Sequence, residues 1–67
     1  MNKYCVAYIS FHDNILTQKT VIAGSEKEAV IKAFGLDCCF PTEHTTIEEA
    51  QNNAFDMDIM FSVIQVT

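Results

Sequence analysis

Cys38, Cys39, Glu43 and His44 lie close together in this chain, and theirs are the residue types that could do chemistry. Thiolate, imidazole and carboxylate are the ordinary protein ligands of zinc. A structural zinc site draws them in pairs spaced two to four residues apart, as in C-x-x-C. Here the two cysteines are adjacent and no second pair exists. The same thiols with His44 or His12 as base would make a nucleophile. That arrangement needs a third group to orient the base, and none stands out; 67 residues also leave little room for a substrate pocket. A thiol or metal enzyme built on Cys38, Cys39 and His44 is thus the remote alternative. The pattern calls for no metal, no cofactor and no catalytic residue. His12 reads as a turn residue and His44 as a solvated loop residue.

The paired carboxylates Glu48-Glu49 and Asp56/Asp58 invite a general acid–base reading. A plainer account serves: acidic residues in the first turn of a helix favour its dipole, and Asp56 and Asp58 flank a turn. Tyr4 and Tyr8 could stack bases on an open sheet. Yet the chain has no arginine and carries a net charge of −5, so direct binding to DNA or RNA is not expected. The two glycines stand apart and form no phosphate loop.

The charge is segregated. Residues 1–32 set four lysines against Asp13, Glu26 and Glu28, a balance of +1. Residues 33–67 hold Asp37, Glu43, Glu48, Glu49, Asp56 and Asp58 with no lysine or arginine, a balance of −6 with His44 neutral. Such a half can present Glu43, Glu48, Glu49, Asn52, Asp56 and Asp58 to a basic protein surface, in imitation of nucleic-acid phosphates. An ordinary solvated helix face explains the same residues.

These side chains must be held by a small scaffold. The stretch Lys3–Phe11 is β-branched and aromatic and apolar on both alternating faces, Tyr4, Val6 and Tyr8 on one, Cys5, Ala7, Ile9 and Phe11 on the other. That marks the central strand of a sheet. His12-Asp13-Asn14 is a turn signal. A two-residue turn would pair His12 with Ile15 and a three-residue turn Phe11 with Ile15; the sequence leaves both open. The second strand, about Ile15–Ala23, has a polar middle with Lys19 and suits an edge. Ser25-Glu26-Lys27-Glu28 is a capping box opening a helix over about Glu26–Phe34, closed by Gly35. Its buried stripe is Ala29, Val30, Ala33 and Phe34, and Glu28 and Lys32 are spaced to pair. Leu36–Thr45 is a connection in which Leu36 and Phe40 cover one end of the core. Thr45 with Glu48, or Thr46 with Glu49, caps a second helix over about Ile47–Asp56, whose stripe is Ile47, Ala50, Ala54 and Met57. Ile59–Val66, again apolar on both sides, is the third strand.

The expected fold is α+β, β-β-α-α-β, one domain over residues 1–67, with sheet order 2-1-3 and both helices on one face. An up-and-down path through two helices makes the first and third strands parallel, joined by a right-handed crossover. With 49% hydrophobic residues on so short a chain, self-association is a serious option, and the third strand could pair with its mate in a homodimer. Three cysteines give no paired disulfide framework and read as thiols of a reducing compartment. The first residues lack the apolar region of a signal peptide, and no apolar run approaches a membrane span. A cytoplasmic protein without membrane contact is expected.

Three runs, Ala7-Tyr8-Ile9-Ser10-Phe11-His12-Asp13-Asn14-Ile15-Leu16, Ser25-x-x-Glu28-Ala29 and Glu49-Ala50…Ala54-Phe55-Asp56-Met57-Asp58, resemble those of small proteins encoded by tailed bacteriophages. The resemblance covers most of the chain but lies in folding features and brings no catalytic residue. It implies a setting, an infected bacterial cytoplasm, and a role in host takeover or anti-defence. In that setting small acidic proteins bind and inhibit a host enzyme or defence complex, anti-CRISPR proteins among them. The expected function is therefore a non-enzymatic inhibitor or modulator of a host protein, with a self-associating assembly module as the alternative.

Overall fold

A computed structural model describes residues 1–66. Strands β1 (Asn2–Ser10), β2 (Ile15–Ala23) and β3 (Ile59–Gln65) form one sheet in the order β2-β1-β3, with helices α1 (Glu26–Phe34) and α2 (Ile47–Asp56) between β2 and β3. This is the expected β-β-α-α-β, α+β arrangement.

The hairpin takes neither register left open by the sequence. Ser10 pairs with Ile15 across a four-residue loop, Phe11–Asn14. The loop closes because Asn14 adopts a left-handed conformation (φ 56°) and donates its N–H to the Ser10 carbonyl at 2.8 Å. The Asp13 carboxylate accepts from the Ile15 N–H at 3.1 Å. This register sets even-numbered residues of β1 beside odd-numbered residues of β2. Tyr4, Val6 and Tyr8 therefore share a face with Val21 and Ala23, and with Ile59, Phe61 and Val63 of β3. Both helices lie against that face, burying Ala29, Val30 and Ala33 of α1 and Ala50 and Ala54 of α2. Alanines at these positions let the helices approach the sheet closely. Leu36 and Phe40 are buried at the end of the core, as expected. Met57 is not part of the stripe; it follows the last turn of α2 and stays exposed.

The orientation of β3 corrects the sequence-based expectation. It runs antiparallel to β1, Val63 opposite Val6 and Phe61 opposite Tyr8. The reason lies in the connection. After α1 ends beside Tyr8, where Phe34 stacks on the tyrosine ring at 4.8 Å, the short 3-10 helix Leu36–Cys39 turns the chain back. Phe40 then lies under Lys27, in the first turn of α1 (5.5 Å from Nζ to the ring centre). The chain has thus returned to the end where α1 began. α2 runs towards the hairpin loop, where Phe55 meets Phe11 edge-on at 6.0 Å. β3 enters the sheet from that end, with Phe11 N–H donating to the Asp58 carbonyl at 2.8 Å. A connection read as a loop is a third leg of the path, and an odd number of reversals inverts the strand.

Helix ends follow the expected chemistry with two changes of partner. Ser25 Oγ accepts from the Glu28 N–H at 3.2 Å, but the Glu28 carboxylate reaches past the cap to the Gly24 N–H at 3.1 Å. Lys32 does not pair with Glu28; its ammonium donates to the Ile22 carbonyl at 2.8 Å. Both side chains thereby tie α1 to β2. Gly35 takes the left-handed position (φ 66°) that closes α1. Of the two possible boxes, Thr46 with Glu49 caps α2.

Lys19, expected only to guard the edge, ties β2 to the end of α1. It lies opposite Val6, and its ammonium donates to the Ala33 carbonyl at 3.0 Å while sitting 5.0 Å from the centre of the Phe34 ring. A cation at the carbonyl end of a helix, over an aromatic face, contributes through both contacts. Lys19→Met, which keeps the stem and removes the charge, is expected to cost about 1 kcal/mol of unfolding free energy. Urea denaturation reads it; a change within experimental error would make Lys19 an ordinary surface residue.

Candidate interaction surface

The stretch rich in chemistry does not assemble into a site. Cys39 is buried in the core, whereas Cys38, its neighbour, is exposed. His44 is solvated and sits 3.4 Å from the Glu43 carboxylate, on a turn held by hydrogen bonds from the Thr42 and His44 N–H groups to the Thr45 and Thr42 hydroxyls. Among the described residues no three His, Cys, Asp or Glu side chains come together as a metal-ligand set. His12 faces Asp58 at 3.8 Å at the other end of the molecule, and both are exposed.

Burial, and then the neighbouring Cys38 and Asp37, push the Cys39 thiol up to about 11. Its proton is held more tightly folded than unfolded. The contribution to stability is therefore complete below the unfolded value near 9 and is lost as pH rises towards 11. Thermal unfolding of the wild type should show a drop over that window that Cys39→Ala lacks; parallel curves would refute the assignment. In native protein at neutral pH a thiol reagent should modify Cys38 quickly and Cys39 only on unfolding.

The candidate residues are all on the surface: the carboxylates Glu43, Glu48, Glu49, Asp56 and Asp58 and the neutral amide Asn52 are exposed. They are not equally disposed. Glu49 Oε1 accepts from both the N–H and the hydroxyl of Thr46, at 3.2 and 3.1 Å, so this carboxylate closes the start of α2. Glu43 stands beside His44, and Asp58 occupies a left-handed turn (φ 60°) beside His12. Glu48, Asn52 and Asp56 are spaced by four and form a single row along the outside of α2. Asn53, one position round, instead turns inward and donates to the Cys39 carbonyl at 2.9 Å.

A second surface was not singled out from the sequence. The face of the sheet opposite the helices has no layer over it. Leu16 and Ile22 of β2 and Met60 and Ile64 of β3 stand on it with exposures of 63, 45, 50 and 59%. Between them Cys5, Ala7 and Ile9 of β1 are only half-buried. Small Ala7, between Gln18 and Ser62, makes a shallow apolar trough walled by Ile9, Leu16 and Met60. The signal was present, since β1 and β3 read as apolar on both sides. Two helices on one face cannot cover the other, so that apolar character stays exposed.

No helix among the described residues is long and apolar enough to cross a membrane. Compared with protein-family models, curated proteins and solved structures, the chain shows no match.

Proposed function

We propose that this chain is a non-enzymatic protein-binding module that acts in a bacterial cytoplasm by presenting carboxylates to a basic partner surface. The observation that carries this reading is the row Glu48–Asn52–Asp56 on the outward side of α2, in a half of the chain without a lysine or arginine. Glu43 and Asp58 flank the helix at its two ends and extend the negative field. In the phage setting that the resemblance implies, such a module serves as an inhibitor or modulator of a host protein, anti-CRISPR or otherwise anti-defence, imitating the phosphates of a nucleic acid.

The test begins with a pull-down from bacterial lysate, the captured protein identified by mass. Its affinity is then measured between about 50 and about 300 mM salt, over which the screening length shortens more than twofold. A carboxylate-led interface should weaken steeply, largely through its association rate. An affinity indifferent to salt would sink the reading. The alternative, a self-associating assembly module, is favoured by one different observation, the bare apolar face of the sheet.

A further inference from the structure

We propose that the open face of the sheet is the contact surface between two copies of this chain, stacked face to face as a sandwich with the helices outermost. The proposal is independent of the acidic surface on α2, which points the other way.

Three observations commit the face to a second copy. The first is charge. Apart from Lys3 at one end, the described residues of β1, β2 and β3 that alternate onto this face are uncharged. The opposite end of the sheet is the hairpin end, where Asp13 and Asp58 lie. A two-fold axis lying between the sheets and across the strands sets the lysine end of one copy over the aspartate end of the other, twice, as an isologous contact requires. Sheets stack about 10 Å apart, so the carboxylates of the two helix layers stay more than two screening lengths from each other at physiological salt. The −5 charge of each copy thus does not oppose the contact.

The second is area. Three strands about 4.8 Å apart and about 30 Å long give a flat footprint of about 400 Å², and their side chains expose roughly half as much again. Two copies would together bury on the order of 1,200 Å², above the roughly 1,000 Å² that a specific interface needs and at the low end of its range. The contact is therefore expected to be reversible at micromolar concentrations.

The third is that the competing mode of self-association is obstructed. Pairing of β3 with its mate needs the outer edge of β3, and the Phe61 carbonyl on that edge already accepts from Gln51 Nε2 at 3.0 Å.

Sedimentation of the full chain from about 1 to about 300 µM should show the mass rising from 7.5 kDa towards twice that value. Leu16→Lys combined with Ile64→Lys should stay monomeric throughout, with its far-UV circular dichroism unchanged, since both side chains are exposed. Without any substitution, methyl NMR spectra on dilution should shift at Ile9, Leu16, Ile22 and Ile64 and not at Ile31 or Ile47 on the helix side. A strict monomer at the highest concentration overturns the proposal. So does a dimer that survives the double substitution, or dilution shifts confined to the helices or to the β3 edge. Raised salt should weaken the α2 complex far more than the dimer, whose contact is mainly apolar with charges only at its ends, so failure of one reading is distinguishable from failure of the other.

Discussion

Phe61→Ala is expected to remove about 3–5 kcal/mol of this protein's stability, from about a third of the total to all of it. Phe61 is 6% exposed, at the middle of β3 and opposite Tyr8 of the central strand. Truncating a buried phenylalanine costs about 3–5 kcal/mol, part for lost transfer out of water and part for the cavity. At about 0.05–0.15 kcal/mol per residue, a chain of 67 residues has roughly 3–10 kcal/mol in total. The cavity has little to refill it, because the fully buried residues of α2 are Ala50 and Ala54 and neither has a side chain long enough to follow. Phe55→Ala is the matched control. That ring is 59% exposed and touches Phe11 edge-on, so its removal should cost less than about 1 kcal/mol. Circular dichroism and urea denaturation of the two variants read the contrast; a Phe61→Ala variant as stable as Phe55→Ala would mean that Phe61 is not part of the core.

Reversing Glu48 and Asp56 to lysine together should weaken partner binding about a hundredfold, equivalent to about 3 kcal/mol, while leaving stability within about 0.5 kcal/mol. Both side chains are exposed on α2, and the dipole cost of a lysine at Glu48 in the first turn is offset by the gain of a lysine at Asp56 in the last. Each reversal exchanges an attraction for a repulsion against a basic surface. Glu49 is deliberately spared, because its carboxylate completes the cap with Thr46. Glu49→Lys would remove that contact and place a cation at the positive end of the helix dipole, costing about 1 kcal/mol by itself. Loss of binding on that substitution would therefore confuse folding with recognition. Isothermal titration with the captured partner decides the matter; undiminished affinity in the double variant would remove α2 from the interface.

The elements were legible because local chemistry dictates them. Ser25, Gly35 and the Thr46–Glu49 pair act on groups within a few residues of themselves, so the helix bounds followed from spacing. The apolar residues on both faces of β1 and β3 placed them in a sheet, and the lysine of β2 placed that strand at an edge. The exposure of Glu48, Asn52 and Asp56 likewise followed from helical spacing against Ala50 and Ala54. The partners of Glu28, Lys32 and Lys19 were not legible. Each binds a backbone group that is near only in the folded chain: the Gly24 N–H and the carbonyls of Ile22 and Ala33.

By itself, then, the amino-acid sequence determined three strands, two helices, their order in the sheet and a segregated negative charge, because each depends on periodicity or on contacts close in the chain. Tertiary structure alone decided three things. The return of residues 35–46 alongside α1 made β3 antiparallel, the four-residue loop chose which side of β2 meets the core, and two helices on one face left the other apolar and bare. These depend on where distant segments meet, and an apolar residue reads the same in a sequence whether its own chain covers it or another copy does.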